Sequence, residues 1–329
     1  MKPVKAVVEL GPNYVFHLLA CARIGFDSEY ADRHYRAMAP EDLAWLRDHR
    51  SLLAFGNGHG GDLVGPLVFM PAYLNLDNMN AIGKYFSLLT DGFRSGDFTP
   101  LLDEYQTPLR ALETWGFHQI DRWLASLEPH RAAIETFAGI YERGFETYVA
   151  SVWPAELPEI QAVAHRLNDF LSGLDLVALW ESVTGLTFLF DSYSIVLVSA
   201  IRNGPNANSL SYDRNVFYSG SDFGWMCDFI SHEVGTHILI DVHRKAISKN
   251  RWPFDLCYKA YENLARFYNG LVLSKPHLYS MPPQYDHERF GRIFSDLLAD
   301  APDITPEELY QRGMDRYSSG SCIPHLPAP

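Results

Sequence analysis

The chain has 329 residues, 47% of them hydrophobic and 20% charged, which is typical of an ordered globular protein. Its formal net charge of −13 disfavours nucleic acid as a partner, because binding phosphates requires a basic surface. The same charge disfavours anionic lipid, and no stretch of about 20 residues is apolar enough to span a membrane. The first residues lack the pattern of a signal peptide, so we expect a cytoplasmic protein whose four cysteines are reduced.

The first part of the chain is predicted to be mostly helical. Apolar residues recur at helical spacing over residues 130–149 and 157–171, for example. Residues that favour strands are concentrated later in the chain. We therefore predict an α+β protein that is mainly helical. Residues 1–185 would form a helical N-terminal lobe that shapes a cleft, and residues 186–329 would form a second region.

Two segments near the middle of the chain predict β-strands. Residues 188–201 are rich in β-branched and aromatic side chains, and residues 209–218 follow a turn signal, Asn-Gly-Pro-Asn, at 203–206. Because a short turn joins them, the two segments predict an antiparallel hairpin. A strand in this position could line a cleft and pair with an extended peptide.

Helices are predicted again after the strands. One runs from about residue 223 to Ser248, with Ser221 or Asp222 as its N-cap. Pro253 begins the next helix, which is expected to end near Gly270. Two further helices are expected to start near residues 286 and 305.

The first of these helices contains a pattern typical of metal sites, His232-Glu233-Val234-Gly235-Thr236-His237. In the common zincin motif two histidines stand four residues apart on one helical face, whereas His232 and His237 are five apart. Five residues of an ideal α-helix rotate by about 500°, which separates the two side chains by roughly 140°. A π-type turn at Gly235 would absorb the extra residue and bring both imidazoles to one ion. The alternative is a helix with two hydrogen-bonded histidines and a surface Glu233.

The segment HEVGTH resembles the HExGTH motif of the microtubule-associated tyrosine carboxypeptidases and their bacterial relatives, which are gluzincin-type zinc peptidases. In that family a downstream Glu, in a segment of the form E-x-L-A, is the third zinc ligand. Glu262-Asn263-Leu264-Ala265 fits this form. The resemblance covers about residues 209–270 and implies a zincin-like catalytic region, Zn²⁺, and the ligands His232, His237 and Glu262. It implies no particular substrate.

The position of Glu262 on its own helix supports the same ligand. Glu262 shares a helical stripe with Tyr258 and Asn269, next to an apolar stripe, so its carboxylate could face the neighbouring helix rather than water. His243 is a rival, because it lies six residues after His237, the metzincin spacing. That motif needs a glycine midway, where Ile240 stands here.

These residues predict a mechanism. Zinc with two His and one Glu retains an open position for water, and Glu233 would act as the general base. A further electrophile would hold the oxyanion. The first candidates are Tyr212 and Tyr218, and Tyr285 and His287 are further candidates. Asp228 and Asp241 each lie four residues from a predicted ligand and could orient an imidazole.

The prediction is therefore a zinc-dependent metallopeptidase that acts on a peptide or protein substrate. Two His and one carboxylate also suit Fe(II), so an iron-dependent oxygenase is the first alternative. The second is a binding protein with a structural metal site. The presence of Glu233 disfavours it, because a structural site needs no general base.

Overall fold

The structure is a computed structural model that describes residues 2–25, 29–56, 59–106, 120–202, 207–249, 251–275, 277–279 and 282–319. Contacts within it divide the chain into two compact units. The sheet unit consists of Val4–Gly173 and Ser192–Ser221, and the motif unit of Met1–Pro3, Leu174–Asp191 and Asp222–Pro329. The predicted strands therefore belong with the helical first part of the chain. The functional division proposed at residue 185 stays a prediction.

The described part of the sheet unit is built mainly from helices. These are α1 (Leu10–Cys21), α2 (Glu29–His34), α3 (Pro40–Asp48), α4 (Arg50–Leu53), α5 (Met70–Tyr73), α6 (Met79–Ser95), α7 (Thr99–Glu104), α8 (Ile120–Ser126), α9 (Arg131–Ser151) and α10 (Trp153–Ser172). Helix α1 lies in the core, since all its residues after the first are buried. Its Tyr14 hydroxyl donates to the carbonyl of Tyr141 at 2.6 Å, which ties α1 to α9.

The strands form a mixed sheet in the order β1-β4-β6-β5. They are β1 (Val4–Val7), β4 (Tyr193–Val198), β5 (Ala207–Ser211) and β6 (Arg214–Tyr218), while β2 (Phe55–Gly56) and β3 (His59–Gly60) make a separate short ladder. β4 pairs in parallel with both β1 and β6, and β5 pairs antiparallel with β6.

The predicted hairpin is wrong in its pairing. Residues 209–218 are not one returning strand, because the chain turns at Tyr212 and Asp213, where the Ser211 hydroxyl donates to the Asp213 carboxylate. This turn makes β5 and β6 the hairpin and leaves β6 parallel to β4. β6 is hydrogen-bonded on both sides, so of the two strands of this hairpin it is β5 that has an edge able to receive a peptide, and β1 is the opposite edge of the sheet. The turn signal at 203–206 lies outside the described residues.

The motif unit contains, in its described residues, a short 3₁₀-helix (Pro283–Tyr285) and five α-helices: α11 (Leu176–Thr184), α12 (Phe223–Ser248), α13 (Phe254–Leu273), α14 (His287–Asp300) and α15 (Pro306–Ser318). The predicted helix over 223–248 is confirmed, and Asp222 caps it by accepting from the Trp225 N–H at 2.9 Å. α13 begins after Pro253 as predicted but continues past Gly270 to Leu273. Thr305 and Glu308 form a capping box on α15.

The fold class is thus confirmed as α+β and mainly helical, with a small mixed sheet. None of the described helices combines the length and apolarity needed to cross a membrane. Cys21, Cys227 and Cys257 are buried and are not joined in disulfides, and Cys322 lies outside the described residues.

Candidate metal centre

Helix α12 carries the HEVGTH segment and is an α-helix along its whole length. The expected π-type turn at Gly235 is therefore wrong. A π-helix is present elsewhere in the described residues, at Gly65–Phe69 in the sheet unit. With α-helical geometry maintained, the side chains of His232 and His237 point about 140° apart around the helix axis.

Glycine is found at position 235 for a different physical reason. A Cβ atom at this position would overlap the six-membered ring of Trp180, a residue of α11 that is fully buried. The Trp180 indole N–H donates to the Ser231 hydroxyl at 3.1 Å, one turn earlier on α12. Glycine is required here because an aromatic ring lies directly on the helix backbone, and the glycine does not distort the helix.

The side chains of His232 and Glu262 meet between α12 and α13. Nε2 of His232 lies 3.1 Å from Oε2 of Glu262, and the two side chains are only 1% and 14% exposed. Two ligands bound at about 2.0–2.1 Å in a tetrahedral zinc site are about 3.3 Å apart, so this separation suits two neighbouring ligands of one ion. The same distance is that of a hydrogen bond between the imidazole and the carboxylate, which the two groups share in this structure. Their donor atoms, separation and burial are also compatible with two ligands of one zinc ion.

His237 is not part of this pair. It is buried at 4% exposure on a different side of α12. Within the part of the chain that the structure describes, no three His, Cys, Asp or Glu side chains form a group that could hold a metal ion. Two of the three predicted ligands are thus adjacent, and the part of His237 stays a prediction.

His243, the rival third ligand, is packed among aromatic rings. Its imidazole stacks on Tyr261 with ring centroids 4.5 Å apart, and its Nδ1 lies 3.1 Å from the Tyr310 hydroxyl. Burial lowers the pKa of His243 to about 4, although the charge of Glu262 acts in the opposite direction. His243 is therefore neutral near pH 7, as a ligand must be, and it lies within electrostatic reach of Glu262.

Two tyrosines lie close to Glu262. Tyr258, one turn earlier on α13, hydrogen-bonds to the Glu262 carboxylate, and burial with the charges of Glu262 and Glu233 raises its pKa. Burial raises the pKa of Tyr285 to about 12, and the charge of Glu262 contributes to this. Both phenols are therefore protonated near neutral pH, beside the predicted ligand and the predicted general base.

The other predicted electrophiles are distributed over both units. Tyr212 stands in the turn between β5 and β6 and is 6% exposed, and Tyr218 is the last residue of β6, so both belong to the sheet unit. Their part in catalysis stays a prediction. His287 is the first residue of α14, in the motif unit.

Tyr279 is the partner of the second ring nitrogen of His232. Its hydroxyl lies 2.9 Å from Nδ1 of His232, the ring nitrogen that does not face Glu262. Asp228, which we expected to have this role, instead accepts from the Asn269 amide at 2.9 Å and the Leu278 N–H at 2.5 Å. Asp241 is exposed and pairs with Arg244 at 3.6 Å.

Asp228 is an ionised carboxylate inside the unit. Burial would raise its pKa, but the neighbouring His277 imidazole, 3.6 Å away, and hydrogen bonds from the Leu278 N–H and the Asn269 amide keep the pKa below its usual value. Asp228 is fully buried, so these bonds replace its hydration.

Sequence reasoning missed Tyr279 and Trp180, and it named Tyr258 only as a neighbour of Glu262 on the helix. Tyr258 carries a usable signal, because four residues separate it from Glu262 on one helix. Tyr279 has no such signal, since it is 47 residues from His232.

Comparison with protein-family models, with curated proteins and with solved structures found no match.

Proposed function

We propose that the chain is a zinc-dependent hydrolase, a metallopeptidase that cleaves peptide bonds in a peptide or protein substrate. The observation that supports this most is the meeting of the two motif segments: Nε2 of His232 faces Oε2 of Glu262 at 3.1 Å, at a buried position between two packed helices. Glu233 is the next residue on α12 and is partly exposed, so substrate and water could reach it.

His232 and Glu262 would hold the ion, with His237 as the third predicted ligand. A zinc ion bound there would polarise a carbonyl and lower the pKa of a bound water towards about 7. Glu233 would take a proton on its carboxylate and return it to the leaving amine.

Tyr258 and Tyr285 are suited to stabilise negative charge on the substrate. Each retains its phenol proton near pH 7, because burial and the charge of Glu262 raise both pKa values. A donor aimed at a developing oxyanion contributes most where water is excluded. Tyr212 and Tyr218 remain the candidates from the sheet unit.

The test is cleavage of a defined peptide mixture followed by mass spectrometry, using full-length protein loaded with zinc. We expect cleavage that 1,10-phenanthroline abolishes and that Glu233→Gln lowers by about 10²–10⁴-fold. Glu288→Gln is the matched control, because Glu288 is an exposed carboxylate on α14. Cleavage unchanged in Glu233→Gln would overturn the proposal. Iron in the purified protein without any cleavage would favour an oxygenase.

A further inference from the structure

We propose that Tyr279 is a positioning residue for metal binding: its hydroxyl orients the His232 imidazole so that Nε2 faces Glu262, and it can accept the Nδ1 proton that His232 carries when Nε2 binds zinc. The inference rests on the proposed zinc site and names a residue outside both motif segments. It concerns how tightly this chain binds the ion and not how the reaction proceeds.

The His232 imidazole has a contact at each of its two ring nitrogens. Tyr279 Oη lies 2.9 Å from Nδ1, and Glu262 Oε2 lies 3.1 Å from Nε2, on the other side of the ring. A histidine that binds metal through Nε2 must carry its proton on Nδ1 and normally donates it to a fixed partner. The Tyr279 oxygen can accept that proton. His232 is also stacked on Phe229, with ring planes 6° apart, which restricts rotation of the imidazole.

Tyr279 is itself held by the helices that carry the two ligands. From α13, the Arg266 guanidinium donates to the Tyr279 carbonyl at 2.9 Å and lies 4.7 Å above its ring centroid. From α12, Asp228 accepts the N–H of the preceding residue, Leu278, at 2.5 Å.

The positions of these two anchors have a structural consequence. Asp228 stands four residues before His232, and Arg266 stands four residues after Glu262. Each anchor is therefore one helical turn from a predicted ligand. The segment 277–279 is therefore anchored to both helices next to the site, and these contacts fix the position of the tyrosine.

The hydroxyl of Tyr279 is not needed to fill the space. The ring is 4% exposed and packs edge-on against Phe229 at a centroid distance of 5.1 Å. A phenylalanine would make the same ring contacts. A buried hydroxyl must be hydrogen-bonded to offset its lost hydration, and the bond to His232 does this.

The experiment compares full-length wild type with Tyr279→Phe in a competition between the protein and a chelating zinc indicator. We expect the zinc dissociation constant of Tyr279→Phe to rise by about 10–100-fold, the usual effect of losing the partner of a ligating imidazole. Tyr268→Phe is the matched control, because Tyr268 is a buried tyrosine of α13 outside the site. Its dissociation constant should stay within about twofold of wild type, because the bond that supports His232 is intact.

A second measurement separates positioning from folding. With ¹⁵N-labelled histidine in the zinc-loaded wild type, the Nδ1 proton of His232 should give a slowly exchanging signal, which His232→Gln identifies by its loss. Tyr279→Phe should lose this signal through exchange with water, while the metal-free protein melts within a few degrees of wild type.

The outcomes separate the two proposals. If wild type binds zinc and Tyr279→Phe binds it equally well, the role of Tyr279 is overturned and the zinc site stands. If wild type binds no zinc, both proposals are overturned. Weaker zinc binding in Tyr279→Phe but not in Tyr268→Phe, with loss of the Nδ1 signal, supports the role of Tyr279.

Discussion

The indole of Trp180 lies directly on the backbone of Gly235, in the middle of the segment that carries both motif histidines. The glycine of HEVGTH is thus a packing residue in this fold. Because the ring is fully buried and its N–H is bonded to Ser231, it cannot move aside without breaking a hydrogen bond.

This contact predicts a large effect from the smallest substitution. Gly235→Ala should destabilise the motif unit by about 1–3 kcal/mol through overpacking, despite the higher helix propensity of alanine. The measurement is the urea midpoint followed by circular dichroism. The double variant Gly235→Ala, Trp180→Leu should be less destabilised than the sum of the two single variants, since the smaller side chain removes the overlap. Strict additivity would contradict the contact.

A variant of Tyr310 tests whether His243 binds the ion. The Tyr310 hydroxyl lies 3.1 Å from Nδ1 of His243. Tyr279 has the same relation to His232. If His243 does not bind the ion, Tyr310→Phe should leave the zinc dissociation constant within about twofold of wild type while lowering the melting temperature. A rise of about tenfold or more would instead assign His243 as a ligand.

Asp228 is expected to hold the segment that carries Tyr279. Asp228→Asn removes the charge that accepts from the Leu278 N–H and faces His277 at 3.6 Å. We expect faster hydrogen exchange at the Leu278 amide and a loss of about 1–3 kcal/mol, the cost of disturbing a buried charged hydrogen bond. Asp241→Asn is the matched control, because Asp241 is exposed on the same helix. Unchanged exchange at Leu278 would show that the bond does not hold the segment.

His17 predicts a pH dependence for the sheet unit. Burial and the nearby His34 lower the pKa of His17 to about 3, whereas an unfolded histidine titrates near 6.5. Between these values the unfolded chain binds a proton that the folded chain does not, so stability falls as the pH is lowered below about 6.5. The loss is at most about 1.4 kcal/mol per pH unit for this one group.

Hydrogen exchange of the α1 amides between pH 7 and pH 5, corrected for intrinsic rates, measures this loss. His17→Asn retains a polar side chain but does not titrate, so its protection should change less with pH. An identical pH slope in His17→Asn would show that another group is responsible.

The sequence predicts the helices of the motif unit well, because their signals are local. Asp222, Pro253 and Thr305 mark the starts of three of these helices within a residue. The strands are different, since an apolar run such as residues 193–198 indicates burial but does not identify its partner. A two-residue turn at Tyr212 and Asp213 decided the pairing, whereas the sequence interpretation relied on the stronger turn signal at 203–206.

In the candidate site too, some residues could be predicted from local patterns and others could not. His232 and Glu262 could be found because their segments follow a known pattern, and the helices that carry them are adjacent in the chain. The support from Tyr279 and the packing of Trp180 could not be predicted, because both depend on contacts between residues 47 or more positions apart. The π-type turn was inferred from spacing alone, and the backbone of α12 contradicts it.

The measurement that tests the central claim most directly is the metal content of the purified full-length protein after exposure to zinc and dialysis. Elemental analysis would compare wild type with His232→Ala and Glu262→Gln. His165→Ala is the control, because His165 is exposed on α10. We expect a single zinc ion per chain in wild type and in His165→Ala, and loss of zinc in the other two variants. Zinc retained by both His232→Ala and Glu262→Gln, or no zinc in wild type, would contradict the account.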